Sequence, residues 1–209
     1  MAFLQFLFIT LCAVTSSLAC VCMPDHPQQQ FCNAGFVVRA KVMSKPRTAY
    51  LPLYLPYQYR DQVYTLSILQ VFQGQQLVQK NMFRSGSSYR ADLYTPSSSM
   101  SCRMPLQPGV EYLLVGKESR TGKLSARFCN WHQKWAELTP EQRLGVQGRY
   151  TKGCQCFISM CFTKTCPKLL TGCHSDWKTF ICRAKNQRCE KSNGACRWQG
   201  SRQCTDSLP

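Results

Sequence analysis

Val63-Tyr64-Thr65-Leu66-Ser67-Ile68-Leu69-Gln70-Val71-Phe72 is the strongest strand signal in the chain, rich in branched and aromatic residues and closed by Gly74. Upstream, Gly35-Phe36-Val37-Val38-Arg39-Ala40-Lys41-Val42 reads the same way. Downstream, Phe83 to Tyr94 is a weaker, polar strand. Pro108-Gly109 turns the chain into Val110-Glu111-Tyr112-Leu113-Leu114-Val115-Gly116, and Arg120-Thr121-Gly122-Lys123 turns it again into Leu124 to Cys129. Five strands with no long helix between them predict a mainly β fold. A closed or partly open five-stranded barrel of the OB type is the economical arrangement.

Around the barrel the sequence predicts two flanking helices and one long loop. Asp25 to Cys32 reads as a short helix, capped by Asp25 and with Pro27 in its first turn. His26 reads as a packing or capping residue, because no second ligand stands at metal spacing. Lys45 to Asp61 is rich in Tyr and Pro, which excludes an interior strand or helix and predicts a long loop or ribbon tip, whose tyrosines either form a binding surface or fold onto the loop itself. Leu138-Thr139-Pro140-Glu141-Gln142 opens a helix to about Tyr150, with Thr139 as cap and Gln142 completing a capping box.

Residues 1–19 carry no charged side chain, and Ser17 and Ala19 fit a signal-peptidase site before Cys20. The expectation is a secreted protein whose mature chain begins at Cys20. Of the 15 cysteines, Cys12 leaves with the leader, so an even number remains and reads as a disulfide framework. Few lie in the first two-thirds, and Cys154 to Cys204 is crowded with them. Residues 20–153 are therefore expected to bury a core, and residues 154–209 to form a small disulfide-rich domain that leans on its bridges. The formal charge of +16 predicts attraction to anionic surfaces, outside the cell to sulfated glycosaminoglycans rather than nucleic acid. A merely solvated surface is the alternative reading of that charge. A monomer with no membrane span is expected.

With 10 Asp and Glu in all, and neither G-x-S-x-G nor H-E-x-x-H, the chain does not read as an enzyme and needs no cofactor of its own. The first mature residue offers different chemistry. A free α-amine has a pKa of about 8, so a useful fraction is neutral and able to ligate a metal. With its own carbonyl oxygen it closes a five-membered chelate. Such a unit can take the open position of a catalytic zinc in another protein.

Cys20-Val21-Cys22-Met23-Pro24-Asp25-His26-Pro27-Gln28, Phe31-Cys32-Asn33 and Val38-Arg39-Ala40-Lys41 resemble the start of mature tissue inhibitors of metalloproteinases. The resemblance continues through Glu111-Tyr112-Leu113-Leu114-x-Gly116, Cys129-Asn130, Trp135-x-x-Leu138-Thr139 and Gly153-Cys154-x-Cys156 to Cys196-Arg197-Trp198. It implies an OB-like, netrin-type barrel followed by a small disulfide-rich domain, and inhibition of matrix metalloproteinases and related zinc proteases. It implies that the amine and carbonyl of Cys20 ligate the zinc of the target. Val21 would enter the pocket beside that zinc, and Cys22, Met23 and Pro24 would run along the primed side of the cleft. Ser99 and Met100 would form a second contact edge.

The resemblance also implies the bridges Cys20–Cys102, Cys22–Cys129, Cys32–Cys154, Cys156–Cys196 and Cys161–Cys166, with Cys173 joined to Cys189 or Cys182. Two cysteines exceed the usual family number. Cys204 and one of Cys182 or Cys189 are the surplus and are predicted to pair with each other, giving Cys173–Cys189 and Cys182–Cys204. Val21 stands where the family commonly has Thr or Ser, and Ser99-Met100 where it often has an acidic residue and Ser. The rival reading is a netrin-type matrix-binding module without inhibitory activity.

Overall fold

Five strands close on one another in the computed structural model, which describes residues 20–49, 61–95, 103–161 and 171–204. They are β1 (Phe36–Val42), β3 (Gln62–Gln73), β5 (Ser88–Thr95), β6 (Glu111–Glu118) and β7 (Leu124–Ser125). β1 runs antiparallel between β3 and β6, β7 pairs antiparallel with β6 and parallel with β5, and β5 returns antiparallel to β3. This ring is the expected five-stranded barrel, and its closure leaves these strands no free edge. Shorter strands extend it outside the ring: β2 (Arg47–Thr48) on β3, β4 (Met82–Ser85) on β5 and β8 (His132–Lys134) on β6.

Two expected strands differ. Residues 83–94 form not one strand but the hairpin β4–β5, with Ser85 opposite Ser88. The turn falls at Gly86-Ser87, where Gly86 takes φ 62, the left-handed conformation that a two-residue loop demands. Leu124 to Cys129 contributes only the two residues of β7.

The barrel interior is filled by Phe36, Val38, Ala40, Tyr64, Leu66, Leu93, Tyr112, Leu114 and their neighbours. The opposite faces of β1 and β6 are covered as well. Val37, Leu113 and Val115 pack with Phe31, Leu138, Val146 and Tyr150 in a second cluster. Burial on both faces explains why Tyr112 to Gly116 of β6 and Phe36 to Val38 of β1 read as continuous apolar runs, whereas Arg39-Ala40-Lys41-Val42 alternates. A Cβ on Gly116 would lie 2.4 Å from the Phe36 ring, so β6 needs glycine where it crosses that side chain.

The helices are short. α1 (Pro27–Cys32) is capped by His26 and not by Asp25, because Pro27 occupies the first helical position and the cap is the residue before it. α2 (Gln75–Lys80) follows Gly74 and was not expected from the sequence. α3 (Pro140–Leu144) has the expected capping box of Thr139 and Gln142 but stops at Leu144. The chain continues to Gly153 through a π-helical turn, in which Gly148 has φ 134, and a 3-10 turn.

Beyond Gly153 lie β9 (Phe157–Cys161) paired parallel with β10 (Gly172–Asp176), then α4 (Trp177–Asn186), then the hairpin β11 (Gln187–Ser192) and β12 (Ala195–Gly200). The hairpin turns on Asn193-Gly194, both at positive φ. The apolar cluster here is Cys156, Ile158, Cys173 and Cys189 with Cys196 and Trp198 against it, so half-cystines make up much of the core. Bridges join Cys156 to Cys196, Cys173 to Cys189 and Cys182 to Cys204. Cys161 is also disulfide-bonded, and its expected partner Cys166 lies outside the described residues. No helix among the described residues is long and apolar enough to cross a membrane.

Candidate functional site

Cys20 to Pro24 belongs to no strand or helix. Val21 is 87% exposed and Met23 74%, although both are apolar. Exposed apolar side chains on an extended segment suit a contact surface better than a core. The segment is nevertheless tethered. Cys22 is bridged to Cys129, just ahead of β8, across a sequence separation of 107. Cys20 is disulfide-bonded too. Cys102, Ser99 and Met100 lie outside the described residues.

The segment runs directly into α1, and α1 is held from several sides. The His26 ring accepts from the Gln28 N–H through Nδ1 and donates from Nε2 to the Arg183 carbonyl, each at 3.2 Å. Trp198 and Phe180 flank it, with ring centroids at 5.3 and 6.4 Å. Burial pushes its pKa down to about 4, against which hydrogen bonds to the Arg183 and Gln187 main chain act in the opposite sense. The imidazole is therefore neutral at physiological pH, with both nitrogens engaged. Asp25 beside it is held above the usual carboxylate range by desolvation, partly offset by a hydrogen bond from the His26 main chain.

Three consecutive glutamines on α1 reach three places. Gln28 is buried, donating to the carbonyls of Gly153 (3.0 Å) and Cys189 (2.8 Å) and accepting from the Cys189 N–H (2.8 Å). Gln29 accepts from the Ile158 N–H at 3.1 Å. Gln30 donates to the Cys129 carbonyl at 3.2 Å and accepts from the Trp131 N–H at 2.6 Å. The bridge Cys32–Cys154 fixes the end of the same helix.

A family model described as "Tissue inhibitor of metalloproteinase" matches residues 18–205. The chain belongs to the tissue inhibitor of metalloproteinase family. It is 32% identical over 170 residues to metalloproteinase inhibitor 3 of Gallus gallus, covering 79% of this chain and 73% of that one. It is 31% identical over 189 residues to metalloproteinase inhibitor 2 of Gallus gallus, covering 86% and 81%. The human metalloproteinase inhibitor 2 is 30% identical over 190 residues, with the same coverage. Family membership makes the chain a protease inhibitor and not an enzyme.

Around the candidate segment the remaining contacts are structural. Glu141 of α3, 4% exposed, accepts from Arg188 of β11 at 2.5 Å, and Arg188 also holds Glu190. Hydrogen bonds from Thr139 to the Lys185 carbonyl and from Gln142 to the Ala184 carbonyl join α3 to α4. Among the described residues, Cys156, Cys189 and Cys196 bring three sulfurs within 4.8 Å of one another. All three are in disulfides, so this is a pair of packed bridges and not a metal centre. Sequence reasoning missed Gln28, Gln29, Gln30, Glu141 and Arg188. The glutamine run was a visible signal, because polar side chains in a helix beside a candidate site call for partners.

Proposed function

We propose that this chain inhibits zinc metalloproteinases of the extracellular matrix and related zinc proteases by offering the free α-amine and carbonyl of Cys20 to the catalytic zinc of the target. One observation carries the reading: Val21 and Met23 are exposed on a strand-free segment that bridged cysteines tie down. A rigid, exposed terminus lowers the ordering cost of binding and cannot be threaded through the cleft as a substrate. A neutral amine nitrogen and a carbonyl oxygen are donors that zinc accepts. On this reading Val21 enters the pocket beside the zinc. Cys22, Met23 and Pro24 line the primed side, and Ser99 and Met100 add a second edge, with Cys20–Cys102 and Cys161–Cys166 completing the bridges. The zinc stays with the protease.

The same proposal has residues 1–19 removed on secretion, residues 20–153 as the inhibitory unit and residues 154–209 as a second domain. Acting as a monomer, the mature chain is retained by sulfated glycosaminoglycans through its basic charge. The deciding experiment adds one alanine before Cys20 and measures inhibition of a matrix metalloproteinase. The added peptide bond removes the amine and crowds the zinc. Inhibition as tight as that of the unextended protein would refute chelation.

A further inference from the structure

The inner side of Met23, Pro24 and Asp25 does not rest on packed core. It borders a cleft of about 450 Å³ whose floor is Val115 and Gly116 of β6, with Gln30 and Cys129 also lining it. The segment therefore spans a gap, and beyond the bridge at Cys20 its ties among the described residues stand at the ends of that span. One end is the Cys22–Cys129 bridge and the other is the start of α1. Gln30, one turn along α1, bonds the Cys129 carbonyl and the Trp131 N–H. Chain from Cys22 to Gln30, hydrogen bond from Gln30 to Cys129, and disulfide from Cys129 to Cys22 make a closed ring around the cleft.

We infer that Gln30 is a positioning residue for the inhibitory segment: its two hydrogen bonds close this ring and set where Cys22 and its neighbours stand. The role rests on the inhibitory reading for its functional consequence but not for its geometry. Without Gln30 the disulfide still joins Cys22 to residue 129, and Trp131 keeps its bond from the Val115 N–H and its packing on the cluster of Phe31 and Tyr150, but the stretch 129–131 loses its direct hydrogen bonds to the helix. The bridge then tethers the segment without orienting it. Gln30 is only partly buried, and its removal opens no cavity in either apolar cluster. Its loss should loosen the segment while the barrel stays intact.

The test uses the full mature chain with Gln30→Ala and Gln30→Glu. The glutamate keeps the acceptor for the Trp131 N–H and loses the donor for the Cys129 carbonyl. Backbone order is read by nitrogen-15 relaxation at Val21, Cys22 and Met23 and, as reference, at Leu113 to Val115. In Gln30→Ala the order parameters of the segment should fall below about 0.6 with the reference unchanged, and Gln30→Glu should fall between. Against a matrix metalloproteinase, dissociation of the complex should quicken by roughly three- to tenfold, with association altered less than about twofold. Unchanged order parameters at 21–23, or a matching fall at the reference residues, overturn the inference. If the parent chain fails to inhibit, the inhibitory reading falls, and the relaxation arm still decides whether Gln30 positions the segment.

Discussion

The side-chain amide of Gln28 pairs with the peptide of Cys189 as a neighbouring strand would, accepting from its N–H and donating to its C=O, both at 2.8 Å. The two residues are 161 apart in sequence. A buried glutamine thus replaces water for main-chain groups that no strand reaches. Gln28→Ala should leave the Cys189 N–H unpaired and weaken the satisfaction of two carbonyls. The expected cost is about 2–4 kcal/mol, and thermal unfolding should fall by several degrees. An unchanged midpoint would mean that solvent can reach this junction.

The neutral, buried His26 gives an acid dependence of known sign. Its folded pKa is depressed to about 4, below the ordinary 6.5, so the unfolded chain binds more protons between those values. Its contribution is complete above about pH 6.5 and is lost as pH falls toward 4, by at most about 3 kcal/mol. Protonating Nδ1 would also set a donor against the Gln28 N–H. Asp25 acts with the opposite sign, because desolvation raises its folded pKa. His26→Asn keeps an acceptor for the cap and removes the imidazole. Urea midpoints measured between pH 7 and pH 4.5 should therefore fall less steeply in the variant than in the parent.

Glu141 couples α3 to the C-terminal hairpin through Arg188, with Arg149 at 4.0 Å. Removing a buried carboxylate strands part of a guanidinium. Glu141→Ala should destabilise by roughly 3 kcal/mol. Replacing Glu141 and Arg188 together by Met should cost less than the single change, a non-additivity that a double-mutant cycle in urea can read. Additive losses would show that the two side chains act independently.

The barrel was legible because its strands carry local signals. Val63 to Phe72 and Phe36 to Val42 are dense in branched and aromatic residues that only a sheet accommodates so well. The hairpin at 82–95 was misread as one strand because its apolar alternation is weak and Gly86 alone marks the turn. α4 is marked in the sequence only by its cap, where Asp176 accepts from the Thr179 N–H. The glutamine run of α1 is visible in the sequence, but its partners are not. Gln28 and Gln30 bind main-chain groups of residues far along the chain, and a carbonyl has no residue type to betray it.

Val21 separates contact from core. At 87% exposure its side chain contributes almost nothing to the free protein, so Val21→Gly should leave the thermal midpoint within about 1 °C. In a complex, a buried valine is worth roughly 1.5–2 kcal/mol, and glycine adds backbone freedom to a segment that must be ordered to bind. Inhibition of a matrix metalloproteinase should therefore weaken by at least about tenfold. Both quantities come from one preparation, by thermal melting and by titration of protease activity. Weakened inhibition with an unchanged midpoint places Val21 in the target's pocket. Unchanged inhibition would move the contact away from the segment that Cys22 tethers, and a lowered midpoint would make Val21 part of the fold.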